Sequence, residues 1–312
     1  MRQILTVTLS PALDKTVGVD GFEIGGTNRI RSIRLDAGGK GINVAKALKS
    51  FDVKICAFGF QAGRTGEIIR QRLDALGLAH RFLEAEGETR TNLKLVDERS
   101  GVTTELNEPG FQVAPDLLAR LVDEYRAALE DAAVVVLAGS LPPGAPVDVY
   151  RTLIGIAREK AVPVILDADG PALVHGVNAR PYALKPNLAE LERLTGKALR
   201  TDGEILDAAR ALVREGIRLV LVSMGEDGSL LVGPDRAFRA RPFPIQPQST
   251  VGAGDSMVAV LAYGLMKQLP PEDIARMTSA AGTITATKPG TEVCTLDEIL
   301  EKLPLIEITP LL

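Results

Sequence analysis

Two glycine-bearing clusters, each at the start of an expected helix, hold the residue types and spacings that could do chemistry. The first is Ser249-Thr250-Val251-Gly252-Ala253-Gly254-Asp255-Ser256, and residues 257–266 behind it are apolar nearly all round. A helix apolar on every side is buried, so its N-terminus opens into the interior or a cleft. Gly252, Ala253 and Gly254 leave backbone N–H groups unobstructed at that end, where the helix dipole favours negative charge. That combination is an anion hole. Asp255, directly after it, stands where a carboxylate could take the proton from a substrate hydroxyl as a phosphoryl group arrives. Spacing alone allows a plainer role equally, a first-turn acid that stabilises its helix by ~0.3 to 1 kcal/mol.

The second cluster is Asp36-Ala37-Gly38-Gly39-Lys40-Gly41-Ile42-Asn43-Val44-Ala45. Its glycines let a ligand approach the backbone closely, while Lys40 and Asn43 supply a cation and an amide suited to a sugar phosphate. A tight turn made for helix packing is the alternative. Neither cluster is a Walker A loop, because Gly39-Lys40 continues with Gly41 where Ser or Thr is needed, and neither is a full G-x-G-x-x-G after a strand.

These clusters need a frame to hold them. From Val134 onward, short apolar β-branched runs alternate with longer amphipathic stretches, the βαβ signature of a parallel sheet covered by helices on both faces. Candidate strands are 4–9, 54–58, 134–138, 164–167, 183–185 and 219–223; candidate helices are 42–51, 65–76, 115–129, 147–160, 187–195, 202–215, 252–268 and 271–287. Two segments break the rhythm, 16–36 and 89–111, the latter with strands 92–96 and 102–106 around a turn at 97–101. They suit a small antiparallel layer. Insertions after parallel strands lie near the carboxyl ends where open α/β sheets bind ligands, so the expected role is a lid; a passive dimer contact or surface hairpin is the alternative.

Composition narrows the function classes. The 312 residues are 46% hydrophobic and 24% charged, which suits an ordinary globular chain and excludes disordered or disulfide-scaffold classes. Lys and Arg number 36 against 40 for Asp and Glu, so no bulk attraction to nucleic acid or anionic membrane is expected. Two cysteines, Cys56 and Cys294, and two histidines, His80 and His175, are too few for a common zinc site. The catalytic burden therefore falls on Asp, Glu, Lys, Arg or backbone groups. Without a signal-peptide pattern at the start or a span-length apolar run, a cytoplasmic setting is expected.

Five motifs occur in order: Ser10-Pro11-Ala12-Leu13-Asp14, Gly38-Gly39-Lys40-Gly41-Ile42-Asn43, Gly139-Ser140-Leu141-Pro142-Pro143-Gly144, Lys185-Pro186-Asn187-Leu188-Ala189-Glu190 and Gly252-Ala253-Gly254-Asp255. Together they resemble the ribokinase-like, phosphofructokinase-B family of carbohydrate kinases across essentially the whole chain. The resemblance implies a single domain over residues 1–312, a ribokinase-like three-layer α/β/α sandwich with a mainly parallel sheet and a small antiparallel β-lid. It also implies ATP with Mg²⁺ and phosphoryl transfer to a sugar hydroxyl, with Asp255 as the base.

Position by position, Asp14 resembles the carboxylate that holds sugar hydroxyls, and Gly38, Gly39 and Asn43 resemble further sugar contacts. Arg90 on the lid looks like the phosphate clamp of phosphosugar members, aided by Lys40, Ser140 and an Arg29 from a partner subunit. Lys185, Asn187, Ser223, Gly225, Gly228 and Thr250 match nucleotide-side positions, and Glu190 matches the acidic residue that reaches Mg²⁺ through water. Without the resemblance, Asp14 reads as a turn former, Arg90 as a solvated charge, Lys185-Pro186-Asn187 as a strand end and helix cap, and Glu190 as an exposed helix acid.

One departure matters. Many sugar kinases of this kind carry Asp-Thr before Gly-Ala-Gly-Asp and use that Asp near a monovalent cation, whereas here Ser249 precedes Thr250, so a potassium requirement is not carried over. The Ser249-Thr250-Val251 variant and the Pro11-x-x-Asp14 start look like the phosphosugar branch. The expected acceptor is a ketohexose phosphate, fructose 1-phosphate first, with tagatose 6-phosphate and fructose 6-phosphate as alternatives. A non-catalytic sugar-phosphate sensor on the same fold is the other class. The expected partners are the phosphosugar and a second copy of the chain joined through the lid, with neither nucleic acid nor membrane.

Overall fold

The computed structural model describes residues 2–311; Met1 and Leu312, the two ends of the expected domain, lie outside the described residues. The strands are β1 Gln3–Thr8, β2 Ala12–Val19, β3 Ile30–Gly38, β4 Ile55–Ala62, β5 His80–Ala85, β6 Arg90–Asp97, β7 Thr103–Asn107, β8 Ala132–Ala138, β9 Val164–Asp167, β10 Ala183–Leu184, β11 Leu219–Ser223, β12 Ser229–Val232, β13 Ala237–Arg241 and β14 Glu307–Leu311. The helices are α1 Lys40–Leu48, α2 Gly63–Ala75, α3 Pro115–Ala128, α4 Val149–Glu159, α5 Gly170–Asn178, α6 Leu188–Thr195, α7 Asp202–Arg214, α8 Ala253–Lys267, α9 Pro271–Ala286 and α10 Leu296–Lys302.

The main sheet has the order β14-β13-β12-β11-β10-β9-β8-β1-β4-β5. Neighbours from β11 to β5 pair parallel, and β11 to β14 form an antiparallel edge. Strand alternation sends Ile4, Val134 and Val136 to one face and Leu5, Val7, Val135 and Leu137 to the other. Because both faces are apolar, both must be covered. Helices α1, α2, α8, α9 and α10 pack on the first face and α3 to α7 on the second, which gives the expected three layers. The candidate strands omit β5 and β12 to β14. Charged residues interrupt β5 and β13, and β14 opens on Glu307 and contains Pro310, so no unbroken apolar run marks them.

The small sheet has the order β3-β2-β6-β7. Two antiparallel pairs, β2 with β3 and β6 with β7, are joined by a parallel pairing of β2 with β6. Its first pair extends beyond the expected 16–36, since Ala12 still pairs with Gly38. Register gives this sheet two unlike faces. Val17, Ile33, Leu35, Leu93, Leu95 and Leu106 share one side, while Asp14, Arg34, Asp36, Asn92, Lys94 and Asn107 share the other. Both insertions leave the carboxyl ends of main-sheet strands, β1 and β5, and so reach the ligand-binding end of the sheet. Among the described residues, no helix is long and apolar enough to cross a membrane.

Candidate active site

A cleft of ≈ 1160 Å³ opens at that end. The polar side of the small sheet supplies Asp14, Arg90, Asn92 and Lys94, α1 and the residue before it supply Gly39, Lys40 and Asn43, and the ends of β9 and β10 supply Asp167 and Lys185. Asn187, Ser223, Gly225, Gly228, Thr250 and the run from Gly252 to Asp255 complete this part of the lining.

Asp255 sits in the first turn of α8 and is 7% exposed. Gly252, before it, has φ 82°, a left-handed conformation that glycine adopts without strain. The first-turn N–H groups that follow have no carbonyl within their own helix; that of Ala253 makes only a long 3.4 Å contact to Thr250 O. A Cβ added at Gly254 would lie 3.4 Å from Lys185 Nζ, so the bare backbone is what admits an anion beside that ammonium. Asn43 Nδ2 donates to Asp255 Oδ2 at 2.8 Å. Burial, then the nearby Asp167 carboxylate, pushes the Asp255 carboxyl up to about 6 against the opposing pull of Lys40, Asn43 and Lys185.

Asp167 is fully buried and links two cations. Lys40 Nζ donates to its Oδ1 at 2.8 Å and Lys185 Nζ lies 3.6 Å from the same oxygen. Its Oδ2 is buried without a hydrogen-bond partner. Burial works against its charge, but Lys185 and Lys40 outweigh it and hold the carboxyl below the usual range. Burial likewise opposes the Lys40 ammonium, and Asp167 with Asp255 holds it above the ordinary lysine range. The cleft thus sets the Lys40 ammonium, held charged by Asp167 and Asp255, next to a carboxylate of raised proton affinity.

At the small-sheet end, Asn92 Nδ2 donates to Asp14 Oδ1 at 3.0 Å and Lys94 Nζ reaches Oδ2 at 3.5 Å. Gly38 is needed beside them, because a Cβ there would stand 2.6 Å from Asp14 Oδ2. Arg90 Nη2 donates to Ser10 O at 3.2 Å and Ser140 Oγ at 3.4 Å, and its Nε is buried without a partner. At the opposite end, Phe243, Pro244 and Ile245 give the lining an apolar wall, with Ser279, Thr283 and Ala286 contributed by α9.

Some expected residues lie off the cleft surface. Gly38 and Ser140 touch Asp14 and Arg90 respectively from behind. Glu190 closes a capping box, its Oε2 accepting from Asn187 N at 2.8 Å while Asn187 Oδ1 accepts from Glu190 N at 2.9 Å. Arg29 is exposed in the loop between β2 and β3, apart from this chain's own cleft. Sequence reasoning missed Asn92, Lys94, Asp167 and the wall from Phe243 to Ile245. For Asp167 a signal existed, a carboxylate at the end of an apolar strand, the position Lys185 occupies one strand further on.

Comparison with known proteins follows the same lines. Residues 9–298 match the family described as pfkB family carbohydrate kinase. A 1-phosphofructokinase from Xanthomonas campestris pv. campestris is 40% identical over 89% of this chain and 89% of its own length. One from Bacillus subtilis is 35% identical over 99% of this chain and 100% of its own. Phosphofructokinase-2 from Escherichia coli, solved in complex with potassium, superposes with a TM-score of 0.91 at 30% identity, over 98% of this chain and 99% of that one. A second structure of it, described as a tetrameric inhibited form, gives 0.90 at 30% identity over 98% and 99%.

Proposed function

We propose, from the premise that the chain belongs to the pfkB family of carbohydrate kinases, that it transfers the γ-phosphoryl group of ATP to a hydroxyl of fructose 1-phosphate, yielding fructose 1,6-bisphosphate and ADP. The observation that carries this reading is Asp255. It is buried at an anion hole, with a carboxyl pushed up to about 6, between an end rich in sugar- and phosphate-type donors and an end with an apolar wall.

In this reading Asp14, oriented by Asn92 and Lys94, accepts hydrogen bonds from the sugar hydroxyls, and Gly39 and Asn43 close around them. Arg90, supported by Ser140, binds the phosphate that the acceptor already carries; Lys40 adds charge there. Asp255 takes the proton of the attacking hydroxyl, and the N–H groups from Gly252 to Gly254 receive the negative charge of the phosphoryl group in flight. Lys185, Asn187, Ser223, Gly225, Gly228 and Thr250 hold the nucleotide, with its base against Phe243 and Ile245.

A divalent ion fits this donor set without a protein cage. Among the described residues no three His, Cys, Asp or Glu side chains gather as a metal site, but the cleft contains the unpartnered oxygen of Asp167. Mg²⁺ would be held by phosphates and water, with Glu190 reached through water, and would offset phosphate charge. A monovalent cation is not part of the proposal, since Ser249 Oγ donates to Gly290 O at 2.9 Å and accepts from Val251 N at 3.2 Å.

A coupled ADP-release assay across fructose 1-phosphate, fructose 6-phosphate, tagatose 6-phosphate and unphosphorylated fructose tests the substrate. Fructose 1-phosphate is expected to give the highest kcat/KM, by about tenfold or more over the others. A higher value for either 6-phosphate would move the assignment to that sugar, and no ADP release with any of them would favour the sensor.

We further propose a homodimer formed through the small sheet, the lid of the cleft, in a cytoplasmic enzyme. Its apolar side leaves Ile33 60% and Leu106 57% exposed, and a second copy covering it would bring the partner's lid loop, with its own arginine at position 29, towards this cleft. Sedimentation at micromolar concentration is expected to show a dimer or a larger even assembly. A monomer would contradict the proposal.

A further inference from the structure

Behind Asp255 lies a buried link that none of the motifs marks. Lys46 sits in the last turn of α1, and its ammonium has three donors and no acceptor. All three are engaged: Nζ lies 3.1 Å from Ala37 O, 3.2 Å from Asn43 Oδ1 and 3.1 Å from Thr291 Oγ1. Ala37 belongs to β3, Asn43 to α1 and Thr291 to the segment after α9. Gly290, next to Thr291, accepts from Ser249 Oγ at the foot of the anion-hole loop. One side chain therefore joins the small sheet, the base and the nucleotide side.

The amide between Lys46 and Asp255 can satisfy both only one way round. With Oδ1 towards the ammonium and Nδ2 towards Asp255 Oδ2, both contacts are favourable. Reversed, a donor would meet a donor and an oxygen would meet a carboxylate. We infer that Lys46 is a positioning residue for phosphoryl transfer: by fixing the Asn43 amide it keeps an N–H donor on the base. The inference rests on the reading of Asp255 as base.

The charges around the ammonium suit this role. Burial holds it below the ordinary lysine range, Asp36, Asp14 and Asp255 pull it up, and Arg34 pushes it down. Around Asp255 itself stand Asp167 and, opposing it, Lys40, Asn43 and Lys185. Loss of the Asn43 donor removes a hydrogen bond that favours the ionised form of Asp255.

The test is a cycle of Lys46→Met, Asn43→Ala and the double variant, read as kcat, both KM values and the pH profile of kcat. Lys46→Met is expected to lower kcat by about tenfold or more, to move the acid limb to higher pH and to change the ATP KM little. In the Asn43→Ala background the same substitution should add almost nothing to either effect. Lys46→Arg, which also presents only donors, should recover most of the rate. Should Lys46→Met fail to fold, Lys46→Leu, which likewise offers no donor to Asn43 Oδ1, is held to the same outcomes. Wild-type kcat and acid limb in a folded variant, or full additivity with Asn43→Ala, would overturn the inference. Turnover retained in Asp255→Asn would instead overturn the assignment of the base, so the two failures are distinguishable.

Discussion

Asp255→Asn is expected to lower kcat by about 10²- to 10⁴-fold, the range of a general-base contribution, while both substrates still bind. Asparagine keeps the size of the side chain but cannot take the proton. Because the wild-type carboxyl is pushed up to about 6, its ionised form is lost as pH falls through that value. Wild-type turnover should therefore decline below about pH 6, by about tenfold per unit. The acceptor's own phosphate ionises in the same range, so the control is the residual activity of the variant, which should lack the limb that belongs to Asp255.

Stability separates this role from a merely structural one. A carboxyl whose folded value lies above its unfolded one, 3.8 against about 6, destabilises the native state progressively as pH rises between the two, and fully above them. Removing that charge should leave the melting temperature at pH 7 to 8 unchanged or higher. A residue serving only the helix dipole would behave oppositely, losing up to ~1 kcal/mol of stability and keeping its rate. Near-wild-type kcat in a folded Asp255→Asn variant would show that the base lies elsewhere.

Arg90→Ala is expected to raise the KM of the phosphosugar by about 10- to 100-fold, on the scale of ~1.5 to 3 kcal/mol for a hydrogen bond to a charged group, with the ATP KM nearly unchanged. Burial lowers the proton affinity of this guanidinium, with Asp14 and Asp169 opposing, but an arginine in a protein remains charged. Arg90 lines the cleft, and its Nη2 makes only long contacts, 3.2 Å to Ser10 O and 3.4 Å to Ser140 Oγ, which leaves guanidinium donors for the acceptor's phosphate. Arg90→Lys should recover only part of the loss, since an ammonium cannot pair with a phosphate in the two-pronged way of a guanidinium. An unchanged acceptor KM, or an equal rise in both, would remove Arg90 from the phosphate site.

What could be read from the chain alone is what is encoded locally. The glycines and Asp255 at the start of α8 were legible because a helix N-terminus builds its anion hole from consecutive residues. The parallel strands were legible because burial on both faces demands unbroken apolar runs, as in residues 134–138. The five motifs carried the family and the fold because each is a short contiguous string.

Tertiary structure decided which side chains meet. The contacts of Asn92 and Lys94 with Asp14 span 78 and 80 residues, Lys40 with Asp167 spans 127, and Asn43 with Asp255 spans 212. Sequence periodicity says which residues alternate along a strand, but not the register at which β2 meets β6, and that register sets which face of the small sheet carries Asp14. The raised proton affinity of Asp255 is likewise absent from its sequence neighbourhood, since it comes from burial by α1 and the main sheet and from the charge of Asp167. Lys46 carries no mark in the sequence for the same reason: hydrogen bonds are directional and short, so three acceptors converge on one ammonium only after three distant parts of the chain have packed together.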